Sequence, residues 1–311
     1  MSQGQTAAGA MRTPDAEVAD SLMQVRYRTV VIDGIEIFYR EAGGGADAPA
    51  ILLLHGFPTS SHMFRDVIPR LASHYRVIAP DYPGYGLSSA PSTADFAYTF
   101  ENVANIIDRF TQALRLDSYA LYMQDFGGPV GLRLAAWHPE RVRALVVQNA
   151  NAYEEGLSPA MDAARPAWER RTPETEATLR AFLTLETTRF QYLHGARDPS
   201  RVSPDAWLHA QAGLDRPGND AIQLAYLHDY GSNPKQYPAW QDYLRRHQPP
   251  TLVVWGRNDP FFTEAGALAY RRDVVDCELH LFETGHFALE EEAPAIARLI
   301  LDFLDRKLAT P

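Results

Sequence analysis

Cysteine is nearly missing from this chain: Cys277 stands alone among 311 residues. A lone thiol forms no internal disulfide, and there is no CxxC for zinc or redox work, so Cys277 reads as a buried structural thiol. Positive charge is also scarce. Against 39 Asp and Glu there are 29 Lys and Arg, a formal charge of −10. That balance argues against nucleic acid or anionic membrane as a partner, because both reward basic patches. No apolar run approaches the length that spans a bilayer. The opening "MSQGQTAAGAMRTPDAEVAD" has no basic stretch followed by an apolar core, so no secretory signal is read there. Residues 1–26 are expected to form a flexible tail, with Met11 an alternative start, and the protein to be cytoplasmic. His55 and His62 lack a metal-ligand pattern and suit a loop-structuring role. No metal and no cofactor is expected.

What the chain does have is ordinary globular composition, 46% apolar and 22% charged. Its length suits one large α/β domain carrying an insertion. Tyr27 to Glu41 alternates about Asp33-Gly34, a strong hairpin signal. Short apolar runs bounded by turn residues follow: "ILLLHG" from Ile51, "YRVIAPD" from Tyr75, "YALYMQD" from Tyr119, "ALVVQN" from Ala144, "TLVVWG" from Thr251 and "ELHLFETG" from Glu278. Their unbroken apolar character suits parallel strands covered on both faces. Val103, Ile106, Ile107, Phe110 and Leu114 recur at helical spacing between two of them. Strands alternating with helices predict an α/β fold with a doubly wound, mostly parallel sheet of about eight strands. Ligands then gather at the carboxyl ends of the strands. Between about Asn151 and Gln248 the alternation stops, and helical patterns rich in Trp, Tyr, Arg and Pro replace it. Thr172-Pro173 reads there as a helix cap and first-turn proline. The expected organisation is a core of residues 27–151 and 246–311 with a helical cap of residues 152–245.

Three of the runs end in a residue with chemistry. Asp125, in "MQDFGG", lies between a strand and the Gly-rich start of a helix; Asp259, in "WGRNDP", follows "TLVVW"; His286, in "ETGHFALE", follows "ELHLF". A tight strand-to-helix turn exposes one side chain above the sheet and aims the following backbone N–H groups at a developing oxyanion. Small residues are needed two before and two after that side chain, because backbones come close. Gly127 meets the second need. Met123 occupies the first and is bulkier than the usual glycine, which predicts slack in the packing or an altered turn.

From about Tyr27 onward the chain resembles the α/β-hydrolase superfamily. Within it, the chain is similar to the epoxide hydrolase and haloalkane dehalogenase branch, whose nucleophile is an aspartate. The pieces that carry the likeness are "HGFPTSS", "DYPGYGLSS", "QDFGGPVGLRLA", "HPERV", "WGRNDPFF" and "TGHFALEE", in that order. The resemblance implies Asp125 as nucleophile, His286 as general base and Asp259 as the acid that orients it. Some relatives take their acid from the strand before the cap, but "QNANAY" offers Asn149 and Asn151 and no acid before Glu154. Also implied are oxyanion N–H donors at Phe57 and Phe126, and a cis bond before Pro58. An aspartate at this elbow suits attack on an sp3 carbon. Attack on a carbonyl would leave an anhydride, whereas alkyl transfer leaves a stable ester for water activated by His286 to hydrolyse.

Hydrolysis of an epoxide to a diol is the leading expectation. Dehalogenases of this branch hold the halide with a Trp directly after the nucleophile, and many add an Asn after the His-Gly pair; here those places hold Phe126 and Phe57. Gln124, by contrast, is dehalogenase-like. A departing alkoxide needs a proton, which cap tyrosines supply in epoxide hydrolases. Tyr230, in "HDYGSN" with Gly231 where that motif has Arg, and Tyr192, in "FQYLHG", are assigned as the leaving-group donors, with Tyr153 and Tyr226 behind them. A haloalkane or haloacid dehalogenase is the alternative, and a non-catalytic hydrolase-fold binding protein a third reading. Trp168, Trp207 and Trp240 are read as core residues rather than halide ligands. The expected partners are a small hydrophobic substrate and water, with no nucleic acid and no membrane; homo-oligomerisation is left open.

Overall fold

Asp33 and Gly34 both take positive φ, 51° and 81°. That is the geometry of a two-residue turn whose twist matches paired strands, and it joins β1 (Arg26–Ile32) to β2 (Ile35–Ala42). This computed structural model describes residues 24–44 and 48–308; most of the expected N-terminal tail, residues 1–23, lies outside them. Six further strands follow: β3 (Ala50–Leu54), β4 (Arg76–Pro80), β5 (Tyr119–Gln124), β6 (Val142–Gln148), β7 (Thr251–Gly256) and β8 (Cys277–Phe282). The sheet runs β1-β2-β4-β3-β5-β6-β7-β8, with β1, β2 and β4 paired antiparallel and β3 to β8 parallel. The chain leaves β3 for β4 on one side and then returns to place β5 on the other. The crevice opened by that reversal lies at the carboxyl ends of β3 and β5, where His55-Gly56 and Asp125 stand.

Alternate residues of each central strand feed two separate cores, as the pleat requires. Leu52, Leu54, Leu121, Met123, Val147 and Trp255 pack on one face; Ile51, Leu53, Tyr122, Val146, Leu252 and Val254 pack on the other. β8 is half-buried along its whole length because it is the sheet edge. Cys277 opens it and is therefore half-buried, not buried as expected, with burial pushing its thiol up to about 11.

Thr99 starts α1 (Phe100–Ala113) by accepting the Asn102 N–H, and the predicted stripe from Val103 to Phe110 is the buried face. α2 (Gly127–Trp137) follows β5 directly. Between β6 and β7 the regular elements are helices joined by turns, including α3 (Pro173–Arg180), α4 (Leu185–Leu193), α5 (Pro204–Leu214), α6 (Asn219–Asp229) and α7 (Tyr237–His247), with one isolated β-bridge from Leu157 to Phe262. Thr172 caps α3 in a reciprocal pair with Thr175, with Pro173 in the first turn. α7 lies against α2 and α8 (Glu264–Asp273), and α9 (Ala288–Leu308) closes the chain. Among the described residues no helix is long and apolar enough to cross a membrane.

Candidate active site

The turn between β5 and α2 holds Asp125 at φ 49°, a left-handed conformation that costs a side-chain residue about 1–3 kcal/mol. Two close approaches keep it there. Gly127 faces the Leu54 carbonyl so closely that an added Cβ would sit 2.2 Å from its oxygen. The Gly128 N–H meanwhile donates to the Asp125 carbonyl at 2.8 Å. Met123 fits without loosening the turn. A Cβ on Gly131 of α2 would lie 2.5 Å from the Met123 sulfur, so the thioether fills space that this glycine leaves open. The bulky residue before the nucleophile is thus compensated one helical turn after it, and the slack expected from Met123 does not arise.

Three strand ends converge above the sheet. His286 Nδ1 lies 2.7 Å from Asp259 Oδ2, and its Nε2 lies 3.8 Å from Asp125 Oδ2. Asp125 Oδ2 accepts the Phe57 N–H at 2.8 Å. Phe126 stands immediately before α2, so its backbone opens the helix beside the same carboxylate. The Phe57–Pro58 bond is cis. Asp259 is held on every side: Oδ1 accepts the Phe261 and Phe262 N–H groups at 2.7 and 3.1 Å, and Oδ2 accepts the Asn149 side-chain amide at 2.8 Å. Asn149 was not singled out as functional by the sequence. The signal was present in "QNANAY", at the strand end where some relatives carry their acid.

Burial opposes a charged imidazole, but the carboxylates of Asp259 and Asp125 overcome it and raise His286 to about 10. Burial raises Asp125 as well, against the pull of His286 and the Phe57 N–H. Each group thus favours the charged form of the other, while burial opposes both. Gln124 lies with its amide 3.0 Å from His286 Nε2 while its Oε1 is buried without a partner. An imidazolium carries N–H on both nitrogens, so the amide oxygen is the group that suits this contact.

A cavity opens onto Asp125 and His286, with about 40 Å³ accessible to the centre of a water-sized sphere. One water needs only ~10–15 Å³ by that measure, so the space holds a small molecule. Phe57, Phe126, Leu179, Phe182, Phe261 and Phe262 form much of its wall, and no Lys or Arg lines it. Tyr230 is on that wall, with burial, and next the neighbouring Tyr237, raising its hydroxyl well above the ordinary range.

Tyr192 is not on the wall, contrary to the assignment made from sequence. Its ring stacks on Phe287 at 4.0 Å and it belongs to the apolar core of the opposite sheet face. Successive helical residues point about 100° apart, and it is the preceding residue, Gln191, that lines the cavity. The reserve candidates are likewise occupied elsewhere: the Tyr153 hydroxyl donates to Asp273 at 2.9 Å and that of Tyr226 to the Pro83 carbonyl at 2.8 Å. Trp240 is core, with the Arg133 guanidinium over its ring, and Trp207 packs against the second core. Trp168 packs against the first core, as read, and also lines the cavity beside Tyr230. It also accounts for Gly231, since a Cβ there would lie 2.3 Å from Trp168 Cβ. His55 ties loops together as expected, accepting the Tyr82 N–H at 3.2 Å through Nε2. Among the described residues no three His, Cys, Asp or Glu side chains are grouped to hold a metal ion.

Comparison with known proteins agrees with this architecture: the family model for the alpha/beta hydrolase fold matches residues 49–293. The chain belongs to the α/β-hydrolase superfamily, on its dehalogenase branch. An uncharacterized hydrolase of Saccharomyces cerevisiae is 40% identical over 279 residues, covering 88% of this chain and 95% of that protein. Haloalkane dehalogenase 2 of Mycobacterium tuberculosis is 32% identical over 284 residues, 86% of this chain and 90% of the relative. Among solved structures, the haloalkane dehalogenase DatA of Agrobacterium tumefaciens superposes with a TM-score of 0.75 at 29% identity, covering 91% of this chain and 97% of its own.

Proposed function

We propose that this protein hydrolyses small, neutral alkyl substrates through an ester between an sp3 carbon and Asp125, with a halide as the leaving group. The observation that carries the reading is the buried carboxyl group at the elbow, bonded to the Phe57 N–H and facing the imidazole of His286, which Asp259 holds. The likeness to haloalkane dehalogenases supports halide as the group that departs. A wall without Lys or Arg disfavours an anionic haloacid and favours an uncharged haloalkane.

The geometry suggests how the steps divide. Asp125 Oδ2 is held by Phe57, so the other oxygen attacks the carbon in line with the leaving group. Oδ2 then becomes the ester carbonyl, already at an N–H donor, and the oxyanion formed when water adds to Cγ develops on that atom. Alkylation also removes the charge of Asp125. His286 loses one of the two carboxylates that favour its protonated form, its pKa falls, it releases its proton to solvent, and the neutral ring becomes the base for that water. The helices of residues 152–245 act as the cap that closes the cavity in this reading.

Epoxide opening is the second reading, supported by the Tyr230 hydroxyl on the cavity wall. Halide release from 1-bromobutane should be assayed beside diol formation from styrene oxide. Asp125→Asn should abolish both, once slow deamidation is excluded, and His286→Gln should accumulate the ester as a mass increase on intact protein. Tyr230→Phe should cripple diol formation only. Diol without halide puts the epoxide reading first; substantial activity in Asp125→Asn ends the ester mechanism.

A further inference from the structure

We infer that Gln191 donates a hydrogen bond to the departing halide, in the place of the indole that Phe126 lacks. Gln191 lies in the last turn of α4, is 3% exposed, and lines the same cavity as Asp125 and His286. Its Nε2 is buried with no hydrogen-bond partner. A buried amide N–H left unpaired costs about 1–3 kcal/mol, so its presence in this largely aromatic and aliphatic wall calls for an occupant that accepts hydrogen bonds. Amide N–H groups donate hydrogen bonds to an anion and release no proton under ordinary conditions. They suit an anion that leaves without needing to be protonated, which is what a halide does and an alkoxide does not.

The site around it fits this division of labour. Tyr230, Phe126 and Phe262 stack about one another on the wall. The Phe57 N–H is committed to the nucleophile at 2.8 Å. Neither phenylalanine side chain offers a donor, and the Asp259 carboxylate is saturated by its own partners. Gln191 thus brings a buried, unpartnered amide to the same wall as the Tyr230 hydroxyl and the Trp168 indole. In the step itself, a lone pair of Asp125 forms the C–O bond as the C–halogen bond breaks. The bonding pair leaves on the halide, which the Gln191 amide receives; no proton moves.

This assignment rests on the alkyl-aspartate reading above, and the test separates the two. In the His286→Gln background, ester growth from 1-bromobutane is followed by intact mass with and without Gln191→Met, a side chain of similar length without N–H. Loss of one hydrogen bond to a charged group should slow ester growth about tenfold to hundredfold. Inhibition of the otherwise native enzyme by bromide, followed also through Trp168 fluorescence, should weaken by a similar factor. Hydrolysis of the ester once formed, measured with His286 present, should keep its rate, a split that mere loosening of the fold would not produce. Gln191→Leu provides a second variant should Met disturb the cavity, and thermal midpoints confirm folding for each. Equal ester growth with and without Gln191, together with unchanged bromide inhibition, overturns the assignment and leaves the ester mechanism standing. Failure of His286→Gln itself to gain mass from any bromoalkane or epoxide overturns both.

Discussion

Asp125 and His286 each favour the charged form of the other, and their titration should be visible from outside. Burial lifts Asp125 above the ordinary aspartate value of 3.8, and only the ionised carboxylate attacks. The acid limb of kcat/KM should therefore lie above pH ~4, where an exposed aspartate would place it. A limb at or below that value would mean that the nucleophile is not buried during catalysis. His286 carries a stability consequence of the opposite kind. Its pKa is raised from 6.5 to about 10 in the folded protein, so its contribution is fully present below pH 6.5 and is lost as pH rises through about 10. The gap in thermal midpoint between the wild type and His286→Gln should narrow across that window. These residues were legible in the sequence because each ends an apolar run. Tyr192 was misplaced because a chain written as letters does not show which way a short helix is turned, and one residue decides between cavity and core.

At the level of the element, the β5–α2 turn is the unit that carries the chemistry, and its tolerance is narrow. Gly127→Ala would place a Cβ 2.2 Å from the Leu54 carbonyl oxygen, a backbone atom that cannot rotate away. We expect a loss of about 2–4 kcal/mol in stability and near-complete loss of turnover as Asp125 is pushed off the Phe57 N–H. Chemical denaturation and the paired assay read both. A variant with wild-type midpoint and activity would show that the turn is slacker than the geometry indicates. The need for Gly127 could be read from the spacing of the motif. The pairing of Met123 with Gly131 could not, since the helix must first fold back along β5 before the two meet. The same holds for Gly231, which looked like a departure from the tyrosine motif and is instead the space taken by Trp168.

Across the whole molecule, largely buried or partly buried polar contacts fasten the helices between β6 and β7 to the helices and loops around the sheet. Glu291, in the first turn of α9, is 2% exposed and accepts the backbone N–H groups of Arg197 and Asp198 at 3.1 and 2.9 Å, with the Thr284 hydroxyl on the same carboxylate. On another side Asp229 accepts the Phe100 N–H at 2.8 Å, and Arg133 bonds Asn233 at 2.9 Å. Arg216 reaches the Gly84 and Gly86 carbonyls at 2.6 and 3.1 Å. The Glu291 clamp lies beside the histidine turn, where a Cβ on Gly285 would meet the His194 carbonyl at 2.0 Å. Glu291→Ala strips the acceptor from two backbone donors, so we expect about 2–4 kcal/mol of destabilisation. The kcat should fall with little change in KM, because His286 loses its backing while the apolar wall remains. Urea unfolding and steady-state kinetics test this, and an unchanged midpoint would show that the clamp is dispensable.

Local rules operating over a few residues were sufficient for much of this protein. Turn chemistry placed the β1–β2 hairpin, apolar runs placed the parallel strands, and side-chain periodicity placed α1, because each depends on neighbours along the chain. The convergence of Asp125, Asp259 and His286 followed once alternating strands and helices implied a parallel sheet, since such a sheet brings its carboxyl ends together. Tertiary structure alone decided what faces the nucleophile. Gln191 and Trp168 enter the cavity, and Tyr192 turns away, through the docking of helices far apart in sequence. Docking angle depends on packing among side chains from several elements at once, and no short stretch of chain contains that information.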